Sequence, residues 1–185
     1  NQVHLSRMLE LVDNPRGRTI HLARGIEVYA HHGEIFLSRG GLKHLCPLPV
    51  IEEDFTIDIC KTGFLDISIQ FSDWQIKIST VENQSILSKD DYRVVVDRKS
   101  LGDHVIVRTR RAGDKFHPMG MKTEKKLQDF LVDEKVPRLW RDRVPLLVET
   151  RGIVWVVGYR IAEWAKVTEG CEEAVSIQFE RIGTA

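Results

Sequence analysis

The sequence predicts an α+β fold, with a β-rich first half followed by a strand–loop–helix–strand–strand series. Three observations predict it. Short apolar segments alternate with period two through much of residues 19–110. Two stretches, near the N-terminus and after residue 122, carry helical period instead. Gly, Pro and polar pairs punctuate the chain between these segments.

Residues 3–12, VHLSRMLELV, place Leu5, Met8, Leu9 and Val12 at i, i+3, i+4 and i+7, which predicts an amphipathic helix stopped by the DNPRG turn at 13–17. TIHL (19–22), IEVYAH (26–31) and EIFLS (34–38) predict a strand meander, and GGLKHLCPLP (40–49) a connector. A second β group follows in FTIDI (55–59), FLDISIQF (64–71) and WQIKIST (74–80), where Ile67, Ile69, Ile76 and Ile78 define one buried face. VENQSILSKDD (81–91) is polar, a loop or short helix, before the strands YRVVVD (92–97) and HVIVRTR (104–110). TEKKLQDFLVDE (123–134) switches to helical period with Leu127, Phe130 and Leu131 on one stripe, and PRLWRD (137–142) adds a short helical turn. VPLLVE (144–149), IVWVVG (153–158) and VSIQFE (175–180) close the chain as strands, the first two joined by a TRG turn. Phe116, Leu127, Phe130, Leu131 and Trp140 sit at packing periodicity and are expected in the core.

A chain of 185 residues is enough for one large domain or two small ones. A boundary at SLGDH divides it into 1–103, a helix with a β-rich linking part, and 104–185, a C-terminal domain. Lys+Arg and Asp+Glu are both 27, so no global field draws in nucleic acid or an anionic membrane. Cys46, Cys60 and Cys171 are odd in number and scattered, which argues against a disulfide framework and fits a reducing cytoplasm. The longest apolar runs, such as IVWVVGY (153–159), are too short to span a bilayer, so no membrane partner is expected. The sequence opens on Asn1 and helix-like residues rather than on Met or a signal peptide, so a piece from the C-terminal side of a larger protein is expected.

The seven histidines include the His31–His32 pair, but strand neighbours face opposite sides and no His or Cys ligand spacing occurs, so no metal is expected. There is no Gly-x-Ser-x-Gly elbow, and nothing pairs Asp114, His117, Asp129 or Asp142 for acid–base work; Asp114 is expected to cap its turn or pair with a nearby Arg. Gly113 and Gly120 fit neither nucleotide-binding glycine pattern, so no ATP site is expected in this chain.

Phosphate binding has more behind it. Between 108 and 143 eleven cations face six anions, a net +5, so the other 149 residues carry −5. Lys122, Lys125 and Lys126 fall at the N-terminus of the predicted helix, and Asp133 and Glu134 at its C-terminal end, both against the helix dipole. A helix N-terminus with cations beside it suits an anion. Composition alone leaves this reading level with a solvated, lysine-rich helix face.

The run R-x-R-R-A-G-D-K-F-x-P-M-G-M-K-x-x-K-K-L-Q-D-F (108–130), then K-V-P-R-x-W-R-D-x-V-P-L-L (135–147) and W-V-V-G-Y-R-I (155–161), resembles the C-terminal domain of the tRNA(Ile)-lysidine synthase family. The resemblance is close over 108–161, weaker over 4–38, and by order alone over 40–107. It implies a parent ligase that uses ATP and Mg²⁺ to adenylate the wobble cytidine of the CAU-anticodon isoleucine tRNA, which lysine then converts to lysidine. The parent's N-terminal PP-loop catalytic domain is missing here, so this chain is expected to be non-catalytic and to hold no cofactor. The resemblance further implies a module of the β/β/α type found in the phenylalanyl-tRNA synthetase β subunit. Its implied partners are tRNA, through the acceptor stem, and the chain's own N-terminal catalytic domain; a homodimer is compatible with it. Thr123-Glu124 departs from the family pattern, which has Gly and a small residue before the Lys-Lys pair.

On that reading Arg108, Arg110, Arg111, Lys115, Lys122, Lys125 and Lys126 contact RNA phosphates, and Arg138, Arg141 and Arg143 extend the surface. No catalytic or metal residue is assigned. The contacts set register on an A-form stem rather than read bases. The alternatives are an intramolecular or protein docking domain, whose basic patch meets an acidic face, and a structural fragment with no binding of its own.

Overall fold

The computed structural model describes residues 16–31, 34–59, 66–81 and 92–182, together with 5, 6, 9 and 11. The fold is α+β, and by backbone contacts the chain forms two units. One comprises Asn1–Pro47 and Leu131–Asp142, the other Leu48–Phe130 and Arg143–Ala185.

The smaller unit is built on an antiparallel meander of β1 (Arg16–His21), β2 (Ile26–His31) and β3 (Glu34–Arg39). The central strand is covered on both faces. Val28 and Ala30 pack with Leu11, Ile20 and Leu22, while Tyr29 faces Phe36, which meets Trp140 edge-on at 4.9 Å. Residues 5, 6, 9 and 11 are helical, as the periodicity predicts, but the buried residue is Leu11, at 4% exposure. Leu5 and Leu9 are exposed at 60% and 56%, so the expected stripe is not the face that packs here; its other members, Met8 and Val12, lie outside the described residues.

The larger unit pairs two antiparallel sheets. Its five-stranded sheet runs β13 (Arg160–Ile161), β12 (Gly152–Val156), β11 (Leu146–Glu149), β8 (His104–Arg108), β4 (Phe55–Asp58). The four-stranded sheet runs β5 (Asp66–Phe71), β6 (Trp74–Val81), β14 (Ala174–Arg181), β7 (Arg93–Asp97). The sheets meet through aromatic rings: Trp155 lies 5.5 Å from Phe179, Phe179 lies 6.0 Å from Phe71, and Phe71 lies 5.5 Å from Phe55. Edge-to-face and tilted packing of this kind adds to the area each ring buries. Residues 82–91, expected as a loop or short helix, lie outside the described residues.

A division between 103 and 104 does not match these sheets. It would part β4 from β8, which pair through Phe55↔Val107 and Ile57↔Val105. It would also part β7 from β14, which pair through Val94↔Ile177 and Val96↔Val175. Strands from both sides of residue 103 share one core because the last strand, β14, inserts between β6 and β7.

The helix after the basic loop spans Leu127–Asp133, starting four residues later than its periodicity suggests. Before it, Lys125–Lys126 form a two-residue strand, β10, paired antiparallel with β9 (Lys115–Phe116). Leu127, Phe130 and Leu131 are buried, as are Phe116 and Trp140, in accord with the sequence. The helix ends in a Schellman arrangement: the Val136 N–H donates to the Leu131 carbonyl at 2.9 Å, with Lys135 in the left-handed region at φ 57°.

Candidate nucleic-acid interface

The basic loop is a clamped hairpin standing on the five-stranded sheet. Arg108, the last residue of β8, lies opposite Leu146 in the sheet and is only 7% exposed. Its guanidinium grips Asp114 in a fork, with Nη1–Oδ2 and Nη2–Oδ1 both 2.8 Å, and Nη1 also donates to the Thr109 carbonyl. The same carboxylate accepts the Arg111 backbone N–H at 2.6 Å, closing the turn 111–114. Burial would raise the Asp114 carboxyl, but its hydrogen bonds from Arg108 and Arg111, with their charges, outweigh that and hold it below the usual carboxylate range.

The far end of the loop is fixed to the segment after β12. The Met119 N–H donates to the Ile161 carbonyl at 2.9 Å, and the Glu163 N–H to the His117 carbonyl at 2.7 Å. The Glu163 carboxylate accepts the Gly120 N–H at 2.8 Å and pairs with Lys166. Lys166 first, then the Gly120 N–H, lower the Glu163 carboxyl below its ordinary value. A ring nitrogen of His117, Nε2, donates to the Met121 carbonyl. That contact makes His117 a brace for the loop, and Asp114 is occupied by Arg108 and Arg111.

The hairpin register decides where the lysines go. Lys126 is the direct cross-strand partner of Lys115, and both are exposed. Like charges directly opposite in an antiparallel pair are destabilising, by up to about 1 kcal/mol. Lys115 has Glu124 at 3.9 Å, a partial and solvent-screened offset. Lys122 is exposed in the connecting turn, and Lys125, opposite the buried Phe116, is half-buried. The lysines precede the helix, Lys126 standing immediately before its first residue, and Asp129 in the first turn offsets part of the mismatch between cations and helix dipole. Charge repulsion across the hairpin adds to it.

Of the expected phosphate-binding residues, Arg110, Arg111, Lys115, Lys122, Lys125 and Lys126 share this hairpin and its approach. Arg111 is exposed and pairs with Asp54. Arg108 is corrected: buried and bidentate to Asp114, it holds the loop and offers no guanidinium to a ligand. Arg143 is half-buried in the larger unit. Arg138 and Arg141 belong to the smaller unit, where Arg138 is exposed and Arg141 donates through Nε to the Val136 carbonyl. Sequence reasoning missed Glu163, Lys166 and Arg160, whose guanidinium lies over the Phe130 ring at 6.0 Å. They lie some forty residues further along the chain, and only the sheet register brings them to the loop. No group of three or more His, Cys, Asp or Glu converges among the described residues.

Residues 105–178 match the family model described as the TilS substrate C-terminal domain. Over these residues the chain is similar to that domain. β8, the hairpin and β14 fall within or across the matched residues. The chain is 35% identical over 182 residues to the tRNA(Ile)-lysidine synthase of Dehalococcoides mccartyi, covering 97% of this chain and 37% of that protein. It is 29% identical over 178 residues to that of Caldanaerobacter subterraneus subsp. tengcongensis, covering 96% and 36%. The chain thus spans a little over a third of the length of the curated relatives it matches. Among solved structures, a TilS C-terminal domain crystal structure superposes with TM-score 0.57 at 23% identity, covering 71% of this chain and all of that one, which establishes the shared fold. An N-terminal fragment of the phenylalanyl-tRNA synthetase β subunit from Pyrococcus horikoshii reaches TM-score 0.40 over 50% of the chain, too distant a likeness to carry the assignment.

Proposed function

We propose that this chain is the tRNA-docking portion of a tRNA(Ile)-lysidine synthase and is itself non-catalytic. The observation that carries the reading is the exposed, mutually repelling Lys115–Lys126 pair with Lys122 beside it, on a hairpin braced at both ends within the TilS-type stretch. Lysines placed against their own repulsion on a rigid support suit a polyanion, whose phosphates offset the charge and release counterions. Phosphate contacts of this kind position a stem without reading its sequence, and the acceptor stem of the CAU-anticodon isoleucine tRNA is the proposed ligand. ATP, Mg²⁺ and the adenylation chemistry belong to the part of the parent that this chain does not span, as does the catalytic domain with which it would work.

The test is competition. A minihelix carrying the acceptor stem should displace the tRNA from the chain, whereas an anticodon stem-loop of similar charge should do so far less well. Equal competition by both would sink the acceptor-stem assignment, and failure of the tRNA itself to bind would sink the reading. Incubated with ATP, Mg²⁺, lysine and tRNA, the chain should form no lysidine.

A second reading, protein docking, has an observation of its own in the smaller unit. Ile35 and Leu37 are exposed on β3 at 44% and 51%, on the face opposite Phe36. This surface and the basic hairpin serve different partners, and polar substitution at Ile35 and Leu37 should leave tRNA affinity unchanged.

A further inference from the structure

We propose that the carboxylates of Asp114 and Glu163 are positioning residues for phosphate binding: two negative groups inside a basic surface whose removal weakens binding to RNA. The proposal rests on the tRNA-docking reading above and deepens it.

Both ends of the hairpin are held in the same way. At each, a tight turn puts glycine third, in the left-handed region: Gly113 at φ 89° in the turn 111–114, and Gly120 at φ 81° in the turn 118–121. At each, a carboxylate accepts a backbone N–H of the turn: Asp114 from Arg111, Glu163 from Gly120. A basic side chain holds each carboxylate in turn, Arg108 for Asp114 and Lys166 for Glu163. Beyond the chain neighbours, no atom lies within 4 Å of where a Cβ would stand on either glycine, so each turn is open on that side and its carboxylate contact helps to fix it. Asp114 reaches further, since its own carbonyl accepts the Leu127 N–H at 2.9 Å and so ties the start of the helix to β9. The lysines between these two anchors can meet several phosphates at once only if the anchors hold.

Charge and position predict opposite signs. If each carboxylate acted only through its charge, removing it would relieve repulsion of phosphate, tightening binding by about twofold for a charge about 10 Å away. If each positions the hairpin, removing it loses phosphate contacts. Each contact contributes about 0.7–0.9 to the slope of log K against log salt, which equals about five- to eightfold in affinity near 0.1 M salt.

The experiment compares the 185-residue chain with Glu163→Ala, Glu163→Gln and Asp114→Ala, titrating tRNA across salt concentrations, with folding followed by circular dichroism. Glu163→Ala should bind at least about fivefold more weakly near 0.1 M salt, with a shallower slope. Glu163→Gln keeps an acceptor for the Gly120 N–H without the charge, and should restore most of the loss. Asp114→Ala should lose more; should it unfold, the two variants of the half-buried Glu163 decide. Glu163→Ala binding as tightly as the unaltered chain, or more tightly, overturns the proposal, and so does a Gln variant as weak as Ala. Replacing Lys115, Lys122 and Lys126 together separates the two levels. If that variant binds tRNA normally, the docking reading itself fails; if it binds weakly while Glu163→Ala does not, the positioning claim alone fails.

Discussion

Replacing Lys126 with Ala should raise the stability of the chain and lower its affinity for tRNA. Lys126 faces Lys115 directly across β9 and β10, with both side chains exposed and Glu124 3.9 Å from Lys115. Cross-strand pairs are worth about 0.2–1 kcal/mol, so relieving this repulsion should stabilise by that amount, less whatever Glu124 already offsets. For a chain of this size such a change raises Tm by about 0.5–4 °C. The same substitution removes one phosphate contact, costing about five- to eightfold in affinity near 0.1 M salt and about 0.7–0.9 of the salt slope. Thermal unfolding and a filter-binding titration on one preparation read both quantities. The opposition of signs is the diagnostic: a solvated lysine with no ligand would leave affinity unchanged, and a lysine needed by the fold would lower Tm. Either result refutes the reasoning.

Other perturbations test the scaffold. Phe130→Ala removes a fully buried ring that meets Phe116 edge-on at 4.9 Å, and should cost about 3–5 kcal/mol in urea unfolding. Lys135→Gly should stabilise by a few tenths to about 1 kcal/mol, because a left-handed residue at a helix C-cap is strained with any side chain but glycine. The folded-state Asp114 carboxyl lies below its unfolded value of about 3.9, so its contribution is complete above that pH and is lost as pH falls through the lower folded value. Unfolding free energies of the unaltered chain and of Asp114→Asn should therefore differ by a constant amount from neutrality down to about pH 5 and converge in stronger acid.

Much of this fold is legible in the sequence, because eleven of the fourteen strands among the described residues carry their own alternation or apolar run. β2 is read to the residue, and Ile76 and Ile78 bury as their spacing requires. β9, β10 and β13 are two residues each, too short to show any period, and they exist only because distant backbone pairs with them. The helix therefore starts later than its periodicity predicts: Lys125 and Lys126 suit a helix by propensity, yet pairing with Phe116 and Lys115 holds them extended. The charge cluster was visible, and so was the pairing of Asp114 with an Arg. Which Arg was not, since alternation along β8 alone does not reveal that Arg108 turns inward to meet a carboxylate six residues later. The two-unit division was hidden for a similar reason: β14 closes a sheet begun a hundred residues earlier.

The most direct test of the account is the slope of log K against log salt for tRNA binding by the unaltered chain and by the Lys115, Lys122 and Lys126 triple Ala variant. Phosphate docking by the braced hairpin predicts that the variant's slope is smaller by about 2–3, with affinity near 0.1 M salt lower by about two orders of magnitude or more. Identical slopes and affinities in the two proteins would contradict it.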